Sequence, residues 1–68
     1  MTPAKLQSLL QTAVAHHRAG RLTEAENVYR QARLAAPKNF DVLHLSGLVA
    51  YQQGRMMDAV DLLTRAHT

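Results

Sequence analysis

The sequence predicts an all-α fold of four antiparallel helices, arranged as two tandem helix-turn-helix hairpins, and three observations predict it. A shift of 34 residues lays the chain on itself: Pro3/Pro37, Leu9/Leu43, Gly20/Gly54, Arg21/Arg55, Ala25/Ala59 and Ala32/Ala66 coincide, where chance gives roughly two identities. Apolar residues recur at three- and four-residue spacing between glycine and proline breaks, and no segment shows the two-residue alternation of a strand. A repeat of this length is one supersecondary unit that cannot bury its apolar face alone, so the two units stack.

Each element follows from local signals. Thr2 and Pro3 supply an N-cap and a first-turn proline, and Leu6, Leu9, Leu10, Ala13 and Val14 carry helix one over residues 3–19, which Gly20 stops. Thr23 and Glu26 match a T-x-x-E capping box, so helix two is expected over 24–35, ending before Pro37. Glu26 and Arg30 are spaced for an i,i+4 pair, as are Asp61 and Arg65. Asn39 caps a third helix over 40–53, which Gly54 breaks. The fourth, over 58–67, would have Met57 at its cap, a poor residue there, so its start is expected to fray more than that of helix two. The first unit thus covers residues 2–36 and the second 37–68.

Composition bounds the rest. Sixty-eight residues bury a thin core, roughly 60% of the surface the unfolded chain exposes, so a partner surface would help. With no cysteine, neither disulfides nor thiolate metal sites staple the fold. There is no apolar h-region and no run near 18 apolar residues, so we expect a cytoplasmic protein without a membrane partner. The net charge of +3 is scattered over both halves, which reads as a solvated surface and not as a nucleic-acid footprint.

The order Leu9, Ala13, His17, Gly20, Ala25, Tyr29, Ala32, Pro37, and its second copy Leu43, Gly47, Tyr51, Gly54, Ala59, Leu63, Ala66, resembles the tetratricopeptide repeat over nearly the whole chain. The resemblance implies a short right-handed solenoid whose A helices form a concave face that binds peptides or helices. Ala13 and Gly47 on the A helices, with Ala25, Ala32, Ala59 and Ala66 on the B helices, let neighbouring helices approach closely. The sequence departs from the family at the usual tryptophan (Leu9, Leu43), at the usual leucine (Thr12, Ser46) and at the frequent tyrosine (His16, Ala50). The second repeat stops at Thr68, short of a closing proline and without a polar capping helix, which leaves Val60, Leu62 or Leu63 facing water. We therefore expect either the opening section of a longer repeat protein or a unit that pairs with its own copy.

On that concave face, Leu10, Val14 and His17 share one side of helix one, and His44, Leu48 and Tyr51 the equivalent side of helix three, with Gln7, Arg18, Asp41 and Gln52 at the edges. The expected binding groove is Leu10, Val14, His17, Arg18, His44, Leu48, Tyr51 and Gln52. Its apolar centre suits an apolar helix, a peptide or a second copy of the chain. Leu10 and Val14 stand where one subgroup of the family holds a peptide carboxylate, and neither donates a hydrogen bond. Gln11 and Leu45 stand where another subgroup, attached to O-linked N-acetylglucosamine transferases, has an asparagine ladder. The function expected is protein interaction or assembly, as a homo-oligomer or with another protein; the alternative is the N-terminal scaffold region of a larger multidomain enzyme such as a glycosyltransferase.

Three further classes are disfavoured. His16 and His17 are adjacent and project about 100° apart on a helix, and His17 with His44 lacks a third ligand, so no metal or other cofactor is expected. No nucleophile, base and orienting group cluster, and there is no glycine-rich phosphate loop, so an enzyme is not expected. Gly20 and Gly54 with Arg18, Arg21 and Arg55 nearby imitate a helix-turn-helix, but nucleic-acid binding does not require one half to copy the other.

Overall fold

A computed structural model describes residues 3–67, with side chains from residue 4 onward. The Thr2 cap lies outside the described residues. Helices α1 (Pro3–Arg18), α2 (Leu22–Ala35), α3 (Phe40–Gln52) and α4 (Met56–Ala66) account for the regular structure, and there is no strand among the described residues. Neighbours in sequence pack together: α1 on α2, α2 on α3, and α3 on α4. The Cα trace fills a slab of 31 × 30 × 14 Å.

The two turns that follow α1 and α3 make the same hydrogen bonds, 34 residues apart. Gly20 N–H donates to the His17 carbonyl (3.1 Å) and Arg21 N–H to that of His16 (2.9 Å); Gly54 and Arg55 do the same toward Tyr51 (3.0 Å) and Ala50 (2.9 Å). This pair of bonds is the Schellman closure of a helix, and it needs a left-handed residue at its corner. Both glycines supply it, with φ of 80° and 79°. The carbonyls of Arg21 and Arg55 then accept from Ala25 (3.0 Å) and Ala59 (2.9 Å), so each arginine closes one helix and opens the next. Arg21 Nε also donates to Nδ1 of His16 (2.9 Å), which holds the side chain over the turn it closes.

This geometry corrects two expectations. α2 starts at Leu22, not at residue 24, and its N-cap is Arg21 with no side-chain cap bond. Thr23 is already helical and the capping box does not form; Glu26 instead meets Arg30 (3.0 Å) and Arg55. α4 likewise starts at Met56 after Arg55, so α2 and α4 open alike and the expected difference in fraying has no basis in their caps. Asn39 does cap α3: its Oδ1 accepts from Val42 N–H at 3.1 Å. α2 ends at Ala35, and Ala36 leaves helical geometry (φ −139°, ψ 69°) before Pro37.

Small residues dominate what is buried. Ala13, Ala25, Tyr29 and Val49 form one cluster, against which Leu10, Val28 and Leu45 pack. Leu43, Ala50, Ala59 and Leu62 form a second. Leu62 is therefore turned inward, whereas Val60 is exposed and Leu63 half-buried. At Gly47 a Cβ would stand 2.8 Å from both Cγ and Cδ2 of Leu63, so α3 and α4 touch through a missing side chain.

Gly47→Ala gains up to about 1 kcal/mol of helix propensity but loses about 1–3 kcal/mol to overpacking. The expected net result is a loss of about 1 kcal/mol, or a Tm lower by about 4–8 °C in thermal unfolding followed by circular dichroism. In a Leu63→Ala background the overlap is gone, and the same change is expected to raise Tm.

Candidate functional site

The spacing Leu10, Val14, Arg18 runs along one line of α1, because residues four apart nearly eclipse on a helix. Across from that line stands Leu45 of α3, which packs on the same buried cluster as Leu10. Between the two helices lies an open cavity of about 400 Å³, lined by Leu10, Val14, Ala15 and Leu45, with Gln7, Gln11, Arg18 and Asp41 around it. Its walls are aliphatic and its rim polar. Such a surface favours burial of an apolar side chain while the rim groups remain hydrated.

The expected groove residues divide into three groups. Leu10, Val14 and Arg18 line the cavity, together with the edge residues Gln7 and Asp41. His17 and Gln52 meet at one end, where the His17 Nε2–H donates to Oε1 of Gln52 and links α1 to the last turn of α3. The His17 ring also stands edge-on to Tyr29, with centroids 6.4 Å apart. His44, Leu48 and Tyr51 do not line the cavity. His44 stacks on Phe40 (centroids 5.3 Å, 12° between planes), and Phe40 in turn meets His67 edge-on at 5.6 Å. His17 and His44 thus have different ring partners. Leu48 and Tyr51 are 37% and 59% exposed.

The reason is rotational. With Leu45 and Val49 turned toward α1 and α2, residues 44, 48 and 51 lie about 60–120° further round α3. Leu48 and Tyr51 are exposed there and add apolar area beside the cavity, whereas His44 is half-buried. Leu45, Gln11 and Ala15 are the lining residues that sequence reasoning did not assign to the groove. Leu45 belongs to an α3 whose Val42, Leu43, Leu45, Leu48 and Val49 are apolar on nearly every side, so periodicity alone does not select its inner face.

Beneath the cavity, Tyr29 is fully buried and its hydroxyl has no hydrogen-bond partner among the described residues. Burial pushes its pKa above the ordinary value of 10.0. Among the described residues no three His, Cys, Asp or Glu gather to hold a metal ion, and no helix is long and apolar enough to cross a membrane. No protein-family model, no curated protein and no solved structure matches the chain.

An unsatisfied buried hydroxyl costs stability, so Tyr29→Phe is expected to gain about 1 kcal/mol in urea unfolding at neutral pH. The folded protein disfavours the phenolate, so the unfolded state releases the proton first; stability is intact below pH 10.0 and falls as pH rises through the higher folded pKa. The advantage of Tyr29→Phe over the parent is therefore expected to widen above that pH. A constant difference between the two proteins from neutral to alkaline pH would show that the hydroxyl is solvated.

Proposed function

We propose that this chain is a protein-interaction module of the tetratricopeptide kind: two helical hairpins stacked in tandem, binding an apolar helix, an extended peptide or a second copy of the chain along the face of α1 and α3. The observation that carries the reading is the aliphatic cavity between those helices, rimmed by Gln7, Arg18 and Asp41. Support for the tandem arrangement comes from the two turns whose hydrogen bonds repeat at 34 residues. The exposed Leu48 and Tyr51 beside the cavity extend the apolar area on which a partner would rest. Binding there draws on hydrophobic burial, about 25 cal/mol per Å² removed from water, with the rim setting register and orientation.

Two positions test this without touching the core. Ala15 is exposed and lines the cavity, and Leu48 is exposed beside it. Ala15→Glu and Leu48→Glu are each expected to weaken partner capture by about tenfold or more with helix content unchanged. Ala25→Trp, at a fully buried site, is expected to lose helix content as well. The measurements are affinity capture from cells and far-ultraviolet circular dichroism. Capture that survives both glutamates counts against this face. Light scattering over a wide concentration range addresses the second copy: a dimer that Leu48→Glu dissociates supports self-pairing, and a monomer throughout restricts the reading to other proteins.

A further inference from the structure

A second cavity, of about 250 Å³, opens between α2 and α4 and is lined almost entirely by charge. Four guanidinium groups face it, those of Arg30, Arg33, Arg55 and Arg65, against the carboxylates of Glu26, Asp58 and Asp61. The three carboxylates are already engaged. Glu26 holds Arg30 at 3.0 Å and also Arg55, Asp58 lies 3.7 Å from Arg55, and Asp61 lies 3.5 Å from Arg65. Arg33 is the remainder: among the described residues no carboxylate comes within ion-pairing distance of it. It is nevertheless half-buried.

A half-buried cation with no carboxylate within ion-pairing distance carries a desolvation cost that the fold offsets only in part. That cost, together with repulsion from Arg30 and Arg65 and against a weaker attraction from Asp58, draws the Arg33 pKa below the ordinary guanidinium value. A bound anion would offset both effects. We propose that the cleft between α2 and α4 is a carboxylate-binding site, in which Arg33 grips an Asp or Glu side chain, or a terminal carboxylate, of a partner protein segment.

Charge arithmetic chooses between anions. Among the described residues that line it, four positive groups against three negative ones leave a single positive charge, which one carboxylate neutralises. A phosphate dianion would carry two negative charges past three carboxylates and leave the cleft negative. The planar fork of a guanidinium also matches a carboxylate with two parallel N–H···O bonds. The cavity seats a side chain, not a helix. This site is separate from the aliphatic one and stands whether or not that one binds a protein.

The test uses a fluorescein-labelled peptide of about ten residues, alternating Glu and Ala and blocked at both ends. A second peptide carries Gln in place of Glu and a free C-terminus. Fluorescence anisotropy is expected to report binding of at least one of them, and which one identifies the source of the carboxylate. Arg33→Met, which keeps the aliphatic stem, is expected to weaken that binding by about tenfold or more, and Lys5→Met on α1 by less than about twofold. If Arg33→Met loses helix content, Arg33→Lys serves instead, keeping the charge but not the fork, with an expected loss of about threefold or more. Equal effects of the Arg33 and Lys5 variants mean diffuse attraction and overturn the proposal. So does binding of neither peptide, or displacement by inorganic phosphate well below the concentration of acetate needed at matched ionic strength.

Discussion

Arg21 and Arg55 each belong to two helices at once, and the rest of the molecule depends on that economy. The N–H of each completes the closure of the helix before it, and the carbonyl of each accepts the first bond of the helix after it. No spare residue remains in which the chain could rotate. The phase of α2 against α1, and of α4 against α3, is therefore set by the backbone, and the alanines are delivered to the contact without adjustment. The left-handed corner that makes this possible falls at Gly20 and Gly54, where a β-carbon would be strained even though nothing stands near it.

Close approach has a second consequence. A slab 14 Å thick keeps few side chains from water, so its interior is built mostly from alanine and valine, with Leu43, Leu62 and one fully buried tyrosine as its large groups. Much of what a thicker protein would hide is at the surface here, and two of its cavities differ in kind. The one between α1 and α3 is aliphatic with a polar rim; the one between α2 and α4 is a lattice of ion pairs around an arginine that lacks one.

The readable parts of this chain were those governed by neighbours in sequence. Gly20, Gly54, Pro37 and Asn39 marked breaks and a cap that the structure contains, and Glu26–Arg30 and Asp61–Arg65 pair at the helical spacing that predicted them. The Thr23–Glu26 pattern misled because a capping box needs a loop residue before it, and the Gly-Arg turn leaves none. Which sector of α3 faces α1 is not readable either, since the helix is apolar on nearly every side; the cavity beside α1 is lined by Leu45, and not by His44, Leu48 or Tyr51. Arg33 shows the same limit. Its lack of a partner is a property of α2 and α4 together and leaves no trace in either segment.

Glu26 is a single carboxylate with two obligations. It holds Arg30 on its own helix and Arg55, the residue that opens α4. Since Arg55 also terminates α3, the tie reaches from the first half of the chain into the one joint the second half cannot lose. Detaching α4 alone would strand a largely covered negative group beside a guanidinium that had lost its backbone anchor. The halves share six identities at the 34-residue offset, yet this tie and the packing of α2 on α3 join them, so melting is expected to be concerted, with the second half holding its shape on loan from the first.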